Sequence, residues 1–357
     1  MSCYVCDIVS RFSPGTRSRL YFSTFFGYLV TQVTRVLEEY GFTVSREDLM
    51  FSITTDNVPE VIQRLYRDDR FSTDEKGNIN VMVLLEGEEP DMNTMQFMKP
   101  LVQWFQLVNA TDLVGVIEDN AIRVQFQPIV CRSERSVYGY ECLSRGIARD
   151  ETIIPPKELF TRAKELNLLF NLDRVARENA LRCAGEAGIT EHIFVNFLPN
   201  AIYDPHYCLR TTMAVADELN LDRNRIVFEI VESETFEDID HLKKILSYYR
   251  SQGVKTALDD VGSGYSSLNT LATLRPDIMK LDMHLIRNID SDKLKQSIFG
   301  GLRRIADDNG ILMLAEGIET PRELAYLVDS GVDLLQGYFF SPPRDLPDYR
   351  LPADLSF

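Results

Sequence analysis

The sequence has few of the residues that build stapled, zinc-bound or membrane-spanning proteins. It contains six cysteines and four histidines in 357 residues, and the close pair Cys3 and Cys6 has no second pair with which to complete a zinc site. The scattered cysteines and the lack of a recognisable secretory signal favour a reducing, cytoplasmic location. The most apolar early stretch, residues 21–33, is short and interrupted by polar residues, so we expect no membrane span.

Positive charge is also scarce. The chain has 38 lysines and arginines against 54 aspartates and glutamates, which gives a formal net charge of −16. Binding to a nucleic-acid polymer depends on lysine and arginine contacts with phosphates, so we do not expect such a partner. A small phosphate ligand stays open, because a bound metal ion inverts the local charge.

A change of pattern near residue 115 predicts two domains. Residues 1–114 read as a small α/β N-terminal domain of unknown type. Its order of elements is loosely receiver-like, but no convincing phospho-acceptor aspartate cluster is visible, and a dimerisation or protein-docking module fits equally well. The predicted elements are helices over 20–40, 58–67 and 95–108, and strands over 49–54 and 78–85.

Residues 115–357 alternate short apolar runs with amphipathic helices, which predicts a modified TIM (β/α)8 barrel. Residues 131–137, which separate the first two strands, are too few for a crossover helix, so these strands should form a hairpin and give the barrel an irregular antiparallel start. The eight predicted strands are Val124–Val130, Tyr138–Leu143, Ile193–Phe197, Ile226–Val231, Lys255–Val261, Ile278–Leu281, Ile311–Ala315 and Leu334–Phe340.

Polar residues occur at the carboxyl ends of seven successive strands, where TIM-type barrels place their active sites. Seven carboxylates on one rim would repel each other, and cations are the expected remedy. Oxygen ligands without histidine or cysteine suit Mg²⁺ or Mn²⁺. The residues are Glu141, Asn196, Glu229, Glu232, Asp259, Asp260, Lys280, Glu316, Glu319 and Gln336.

The adjacent pair Asp259 and Asp260 is the most informative part of this pattern. Neighbouring strand residues point to opposite faces, so both reach one site only where the strand ends and the chain turns at the following glycines. One of the pair is then able to bridge two metal ions, an arrangement suited to phosphodiester hydrolysis. Lys280 and Arg145 add positive charge for water or phosphate. Glu229 or Asp259 alone would more often be a helix cap or a surface ion pair, and Gln336 alone a barrel hydrogen bond. Their joint order at successive strand ends points to a site.

Residues from about 116 to 343 closely resemble the EAL-domain family of cyclic di-GMP phosphodiesterases. The resemblance rests on motifs that occur in the family's order. They are Phe126-Gln127-Pro128-Ile129-Val130, Glu141-Cys142-Leu143 with Arg145, Asn196, Glu229-Ile230-Val231-Glu232, Asp259-Asp260-Val261-Gly262-Ser263-Gly264-Tyr265-Ser266-Ser267, Ile278-Met279-Lys280-Leu281-Asp282, Ala315-Glu316-Gly317-Ile318-Glu319-Thr320 and Gln336-Gly337-Tyr338.

The resemblance implies two-metal hydrolysis of cyclic di-GMP to linear pGpG, with Mg²⁺ or Mn²⁺ as two ions per site. The implied metal ligands are Glu141, Asn196, Glu229, Asp259 and Asp260. The implied catalytic residues are Glu316 as general base, Lys280 as the residue that orients the attacking water, and Glu319 as a supporting acid. Implied substrate contacts are Arg145, Gln127, Gln336 and Leu143, and the implied loop-anchoring residues are Glu232, Gly262, Ser263 and Gly264.

Three positions depart from the family pattern. Cys142 replaces the signature alanine, Ser263 replaces the loop threonine and keeps its hydroxyl, and Val261 replaces the loop phenylalanine. The family also implies a homodimer and a regulatory partner acting through the N-terminal domain. The alternative is a nucleotide-responsive adaptor that binds cyclic di-GMP and signals to a protein without turnover; the presence of Glu141, Lys280 and Glu316 favours the enzyme.

Overall fold

The structure, a computed structural model, describes residues 15–47, 50–92, 94–202, 204–231, 239–262 and 267–352. Cys3 and Cys6 lie outside these residues. The chain divides into two compact units, and the division does not follow a single cut in the sequence. One unit comprises residues up to Ala121 together with Gly146–Leu172, and the other comprises Ile122–Arg145 and the chain from Asp173 onward. Within the described part of the chain, no helix combines the length and apolar composition needed to cross a membrane.

The first unit contains a five-stranded sheet with the strand order β2-β3-β1-β4-β5 and antiparallel pairing. Its strands are β1 (Ser18–Ser23), β2 (Ser45–Glu47), β3 (Met50–Thr55), β4 (Asn80–Leu85) and β5 (Lys99–Pro100). Its helices are α1 (Gly27–Glu39), α2 (Val58–Arg67), α3 (Thr73–Asn78), α4 (Leu101–Asn109), α5 (Thr111–Glu118) and α6 (Pro156–Glu165), with a 3-10 turn at Thr94–Phe97 and the short strand β8 (Ile153–Ile154).

Two element predictions for this unit are wrong in part. The helix predicted over 20–40 begins only at Gly27, because Leu20, Tyr21 and Phe22 form the central strand β1 and are all buried. A strand that is covered on both faces shows no apolar–polar alternation, so its sequence does not distinguish it from a buried helix. The helix predicted over 95–108 is interrupted at Pro100 and continues as α4, since proline disfavours helical backbone in the residue before it.

The second unit is built on a closed barrel. Eight strands of its sheet close in the order β6-β14-β13-β12-β11-β10-β9-β7, and β7 also pairs with β6. The strands are β6 (Ile122–Cys131), β7 (Ser136–Ile147), β9 (His192–Phe197), β10 (Ile226–Val231), β11 (Lys255–Val261), β12 (Ile278–Leu281), β13 (Leu312–Ala315) and β14 (Leu334–Leu335). The modified TIM barrel with a hairpin start is therefore confirmed.

The barrel closes through one antiparallel seam. Strand β6 runs antiparallel to the two-residue strand β14 and forms the hairpin with β7, whereas the remaining neighbours, from β7 and β9 through β14, are parallel. An isolated antiparallel bridge between Phe126 and Arg344 extends the seam, and Gln127 Nε2 donates to the carbonyl oxygen of Ser341 at 3.3 Å. The last predicted strand is thus shorter than expected, because the chain leaves the sheet before Gly337.

Inside the barrel, one apolar residue from almost every strand contributes to a single buried layer. This layer covers the inner faces of the strands, and helices cover their outer faces. Because both faces are buried, the strand sequences are continuous apolar runs rather than alternating apolar and polar residues. Its residues are Ile129, Phe194, Val227, Ala257, Ile278, Leu314 and Leu334. The helices that follow the strands are α7 (Leu169–Glu186), α8 (Pro205–Cys208), α9 (Arg210–Glu218), α10 (Ile239–Ser251), α11 (Ser267–Leu274), α12 (Met283–Ile286), α13 (Lys293–Asn309) and α14 (Pro321–Asp329).

Candidate active site

A buried lysine lies at the centre of the predicted acidic ring. The Lys280 side chain, on β12, exposes 1% of its surface. Its Nζ lies 2.7 Å from Glu229 Oε1 on β10 and 2.7 Å from Glu316 Oε1, just after β13. It also lies 3.1 Å from Asp259 Oδ1 on β11 and 3.8 Å from Glu141 Oε1 on β7. Four carboxylates from four strands therefore surround one ammonium group.

Two amides complete the ring on the side of Glu141. Asn196 Nδ2, on β9, donates to Glu141 Oε1 at 3.3 Å, and Gln336 Nε2, directly after β14, donates to Glu141 Oε2 at 2.7 Å. Both Glu141 oxygens thus have a fixed partner. The carboxyl ends of the barrel strands meet at one rim. Glu141 and Gln336 therefore lie together although they are 195 positions apart in the sequence.

The adjacent pair Asp259 and Asp260 reaches the same place through an unusual backbone conformation. Asp260 has a φ of 57°, in the left-handed region that aspartate visits more readily than most residues. Its backbone N–H donates to Asp259 Oδ1 at 2.9 Å. Carboxylate oxygens of Asp259, Asp260 and Glu316 lie within 4.8 Å of one another, close enough to share an ion.

Burial and mutual repulsion set the protonation of this ring. Burial raises the pKa of Glu229 well above its ordinary value, Lys280 opposes this rise, and the neighbouring Glu141 adds to it. Burial likewise raises the pKa of Glu316, and the nearby Asp259 adds to the effect. Burial alone would lower the pKa of Lys280, but the surrounding carboxylates overcome it and raise that pKa. The lysine therefore stays charged, and the four carboxyl groups around it outnumber the single positive charge that it supplies.

The residues present fit a hard divalent cation. Glu229 is fully buried, yet its Oε2 has no hydrogen-bond partner among the described residues, and Gln336 Oε1 is in the same position. Buried oxygens without a partner are costly, and a bound ion relieves that cost. The donor set consists of carboxylate and amide oxygens, which suits Mg²⁺ or Mn²⁺ rather than zinc.

Several predicted site residues have described contacts with partners other than the residues of the lysine-centred ring. Glu319 Oε1 accepts from Arg287 at 2.6 Å, and its side chain is 45% exposed. Gln127 is tied to Ser341 at the barrel seam, and Arg145 Nη1 donates to the carbonyl oxygen of Ser144. Leu143 is half-buried on β7. Gly262 has a φ of 105°, and Glu232, Ser263 and Gly264 lie outside the described residues.

Sequence reasoning missed Glu323, a fully buried carboxylate that joins two loops at this end of the barrel. Its Oε1 accepts from the backbone N–H of Asn288, in the loop that follows α12. Its Oε2 accepts from the N–H groups of Glu319 and Thr320. The pattern Thr320-x-x-Glu323 is a capping box that begins α14, and this signal is visible in the sequence.

Comparisons with known proteins agree with this geometry. The sequence model described as "EAL domain" matches residues 110–343. A relative from Escherichia coli K12 named cyclic di-GMP phosphodiesterase PdeR is 29% identical over 237 residues, which cover 65% of this chain and 35% of that protein. The chain therefore corresponds to about a third of the length of this curated relative.

Solved structures of other proteins match the fold of this chain. A standalone EAL protein from Vibrio cholerae O395, in its c-di-GMP-bound form, is 39% identical with a TM-score of 0.58, and the match covers 64% of this chain and 95% of that one. Klebsiella pneumoniae BlrP1, in a manganese/cy-diGMP complex, matches 92% of this chain and 96% of its own with a TM-score of 0.58; at 22% identity, it supports the fold alone. The chain belongs to the EAL-domain family.

Proposed function

We propose that this protein is a phosphodiesterase that hydrolyses cyclic di-GMP to linear pGpG with two divalent ions, Mg²⁺ or Mn²⁺. The observation that carries the proposal is the ring of four carboxylates around Lys280, with a buried Glu229 oxygen that lacks a hydrogen-bond partner among the described residues. Cyclic di-GMP is the substrate favoured by the names of the relatives and by the ligand bound in the Vibrio cholerae structure.

The proposed metal-binding residues are the carboxylates and the amide of the ring. Bound ions would acidify the attacking water and neutralise charge that develops on the phosphate. The first ion would be held by Glu141, Asn196, Glu229 and Asp259, and the second by Asp259 and Asp260.

Proton transfer is assigned to Glu316. Its carboxylate lies within 4.8 Å of those of Asp259 and Asp260, the proposed ligands of the ions, so it is placed to receive a proton from a water that the ions acidify. Lys280, 2.7 Å from Glu316 Oε1, orients the attacking water. Glu319 serves as a supporting acid in the loop just after Glu316, where Arg287 holds its carboxylate.

Substrate contacts are proposed for Arg145, Gln127, Gln336 and Leu143. The guanidinium of Arg145 suits a phosphate, because its planar donors match two phosphate oxygens. The loop that follows β11, with Gly262, Ser263 and Gly264, is proposed to be anchored by Glu232. We further propose that residues 1–114 form a regulatory or dimerisation domain, that the protein is a cytoplasmic homodimer, and that a protein partner acts through the N-terminal domain.

The test compares the wild-type chain with Glu316→Gln. Purified protein is incubated with cyclic di-GMP and Mg²⁺ or Mn²⁺, and pGpG is measured by chromatography. Wild type is expected to turn over and to stop when the metal is chelated, whereas Glu316→Gln should bind the nucleotide without cutting it. Glu218→Gln, which removes an exposed carboxylate paired with Arg182, is the control and should behave as wild type.

Two results would contradict the proposal. Wild-type turnover by Glu316→Gln would remove this residue from the mechanism. Tight binding of the cyclic nucleotide by wild type, with no pGpG in either metal, would instead indicate an adaptor that signals without turnover.

A further inference from the structure

A second buried ion pair lies in the barrel unit, on helix α7. Asp173 and Arg177 each expose 2% of their side-chain surface, and Arg177 Nε donates to Asp173 Oδ2 at 2.8 Å. Burying two charges carries a desolvation cost, and an apolar pair of similar volume is often equally stable. Stability alone therefore does not explain why the barrel contains this pair.

The remaining hydrogen bonds of the pair connect three separate segments. Asp173 Oδ1 accepts from the backbone N–H of Leu198 at 2.9 Å, and Leu198 is the first residue after β9. Arg177 Nη1 donates to Thr212 Oγ1 at 2.5 Å, and Thr212 is fully buried on α9. The carboxylate of Asp173 is thus fixed in place from one side and holds the chain leaving β9 on the other.

That chain segment needs a support outside the sheet. The pairing of β9 with β10 ends at Phe197, so the ladder stops one residue before Leu198. Asn196, two residues before Leu198, donates its side-chain amide to Glu141 in the acidic ring. The Asp173 carboxylate therefore holds the backbone at the point where the hydrogen bonds of the sheet end, two residues after Asn196.

We infer that Asp173, oriented by Arg177 and Thr212, is a positioning residue that fixes the end of β9 and thereby the Asn196 amide in the metal-binding ring. This inference rests on the proposed function, because Asn196 is a proposed metal ligand. The described hydrogen bonds of Asp173 go to Arg177 and to the Leu198 N–H, not to a residue of the acidic ring. It acts through the backbone, as outer partners of metal ligands commonly do.

The test replaces the charged pair with an apolar one, Asp173→Leu with Arg177→Met, in the full chain. The control replaces a neighbouring pair on the same helix, Arg174→Met with Glu178→Leu, whose side chains are 27% and 17% exposed and lie 3.5 Å apart. Both proteins are checked for folding by far-ultraviolet circular dichroism. Mn²⁺ alone is then titrated by calorimetry. The Asp173/Arg177 variant should bind Mn²⁺ about 10-fold more weakly or worse, and the control within about twofold of wild type.

Amide hydrogen exchange provides a readout that needs no metal. The Leu198 amide should exchange faster in the Asp173/Arg177 variant than in wild type and the control. Unchanged exchange would overturn the inference, and faster exchange with wild-type Mn²⁺ affinity would overturn the link to the metal ring. If wild type itself binds no Mn²⁺, the proposed function fails, while the Leu198 amide still decides whether Asp173 positions β9.

A second variant covers the case in which the apolar pair prevents folding. Thr212→Val keeps the shape of the side chain and removes only the hydroxyl that accepts from Arg177. It should weaken Mn²⁺ binding by about threefold or more and speed the exchange of the Leu198 amide, since the loosened pair holds the chain less firmly. Wild-type values in both measurements would overturn the inference.

Discussion

Replacing Lys280 by methionine should destabilise the metal-free protein strongly. The substitution keeps much of the side-chain volume and removes the ammonium group that contacts four carboxylates. Removing one partner of a buried ion pair costs about 3–5 kcal/mol, because the other charge stays buried without compensation. In folded units of this size class, 1 kcal/mol shifts the melting temperature by about 2–4 °C, so the expected loss is about 6–20 °C.

The size of this loss should depend on pH. The pKa values of Glu229 and Glu316 are already raised, mainly by burial, and loss of the ammonium group raises them further. The folded variant then binds more protons than its unfolded chain, and stability falls as pH rises whenever the folded state holds more protons. The difference between variant and wild type is therefore expected to be larger at about pH 8 than at about pH 5.

The assay is thermal unfolding of the metal-free proteins across this pH range, repeated with Mn²⁺. Added Mn²⁺ should stabilise the Lys280→Met variant more than wild type, because the ion replaces the missing positive charge. Lys255→Met is the matched control, since Lys255 Nζ, on β11, donates to His192 Nε2 on β9 at 2.9 Å, and in the described part of the chain it pairs with no carboxylate of the ring. It should cost about 1 kcal/mol and show no extra response to Mn²⁺. A Lys280→Met protein as stable as wild type at the higher pH would refute the reasoning.

Three further substitutions, and one comparison variant, test other parts of the structure. Gly317→Ala should lower the free energy of unfolding by about 1–3 kcal/mol in denaturant, because Gly317 has a φ of 66° and the added methyl would overlap the Met283 side chain. The comparison variant Gly300→Ala lies in open space on α13 and should raise the free energy of unfolding by about 0.5–1 kcal/mol. Burial lowers the pKa of His192 from 6.5, so below that pH the unfolded chain binds more protons and stability falls; His192→Gln should flatten this fall in unfolding midpoints. Hydrogen bonds from Arg70 lower the pKa of Asp68, so Asp68→Asn should cost about 1–3 kcal/mol at neutral pH, a difference that disappears as acid protonates the wild-type carboxylate.

The barrel and its ring were predictable because both follow from local rules. Strands β10, β11 and β12 have the bounds that their apolar runs predict, Ile226–Val231, Lys255–Val261 and Ile278–Leu281. Parallel strands that close into a barrel bring their carboxyl ends to one rim, so a polar residue that ends each run is placed there without knowledge of any contact. The distance of 2.7 Å between Lys280 and Glu229 is the outcome of that rule.

Features that depend on tertiary contacts were not predictable in the same way. Glu319 lies only three residues after Glu316, but the chain between them turns at Gly317, and the carboxylate of Glu319 pairs with Arg287. No local pattern records such a pairing. The prediction of a helix over the residues of β1 was wrong for a related reason, since burial on both faces removes the apolar–polar alternation that identifies a strand in a sequence.

The antiparallel seam between β6 and β14 has a consequence for how the chain matures during synthesis. Its contacts join the start of the barrel sequence to its end; Gln127 and Ser341 are 214 positions apart. Until the ribosome has released the segment around Ser341, β6 cannot complete its ladder and the growing sheet keeps open edges, which are sites for unwanted strand pairing. Ring closure therefore waits until the segment around Ser341 has been made, and the long separation in sequence makes this step slow.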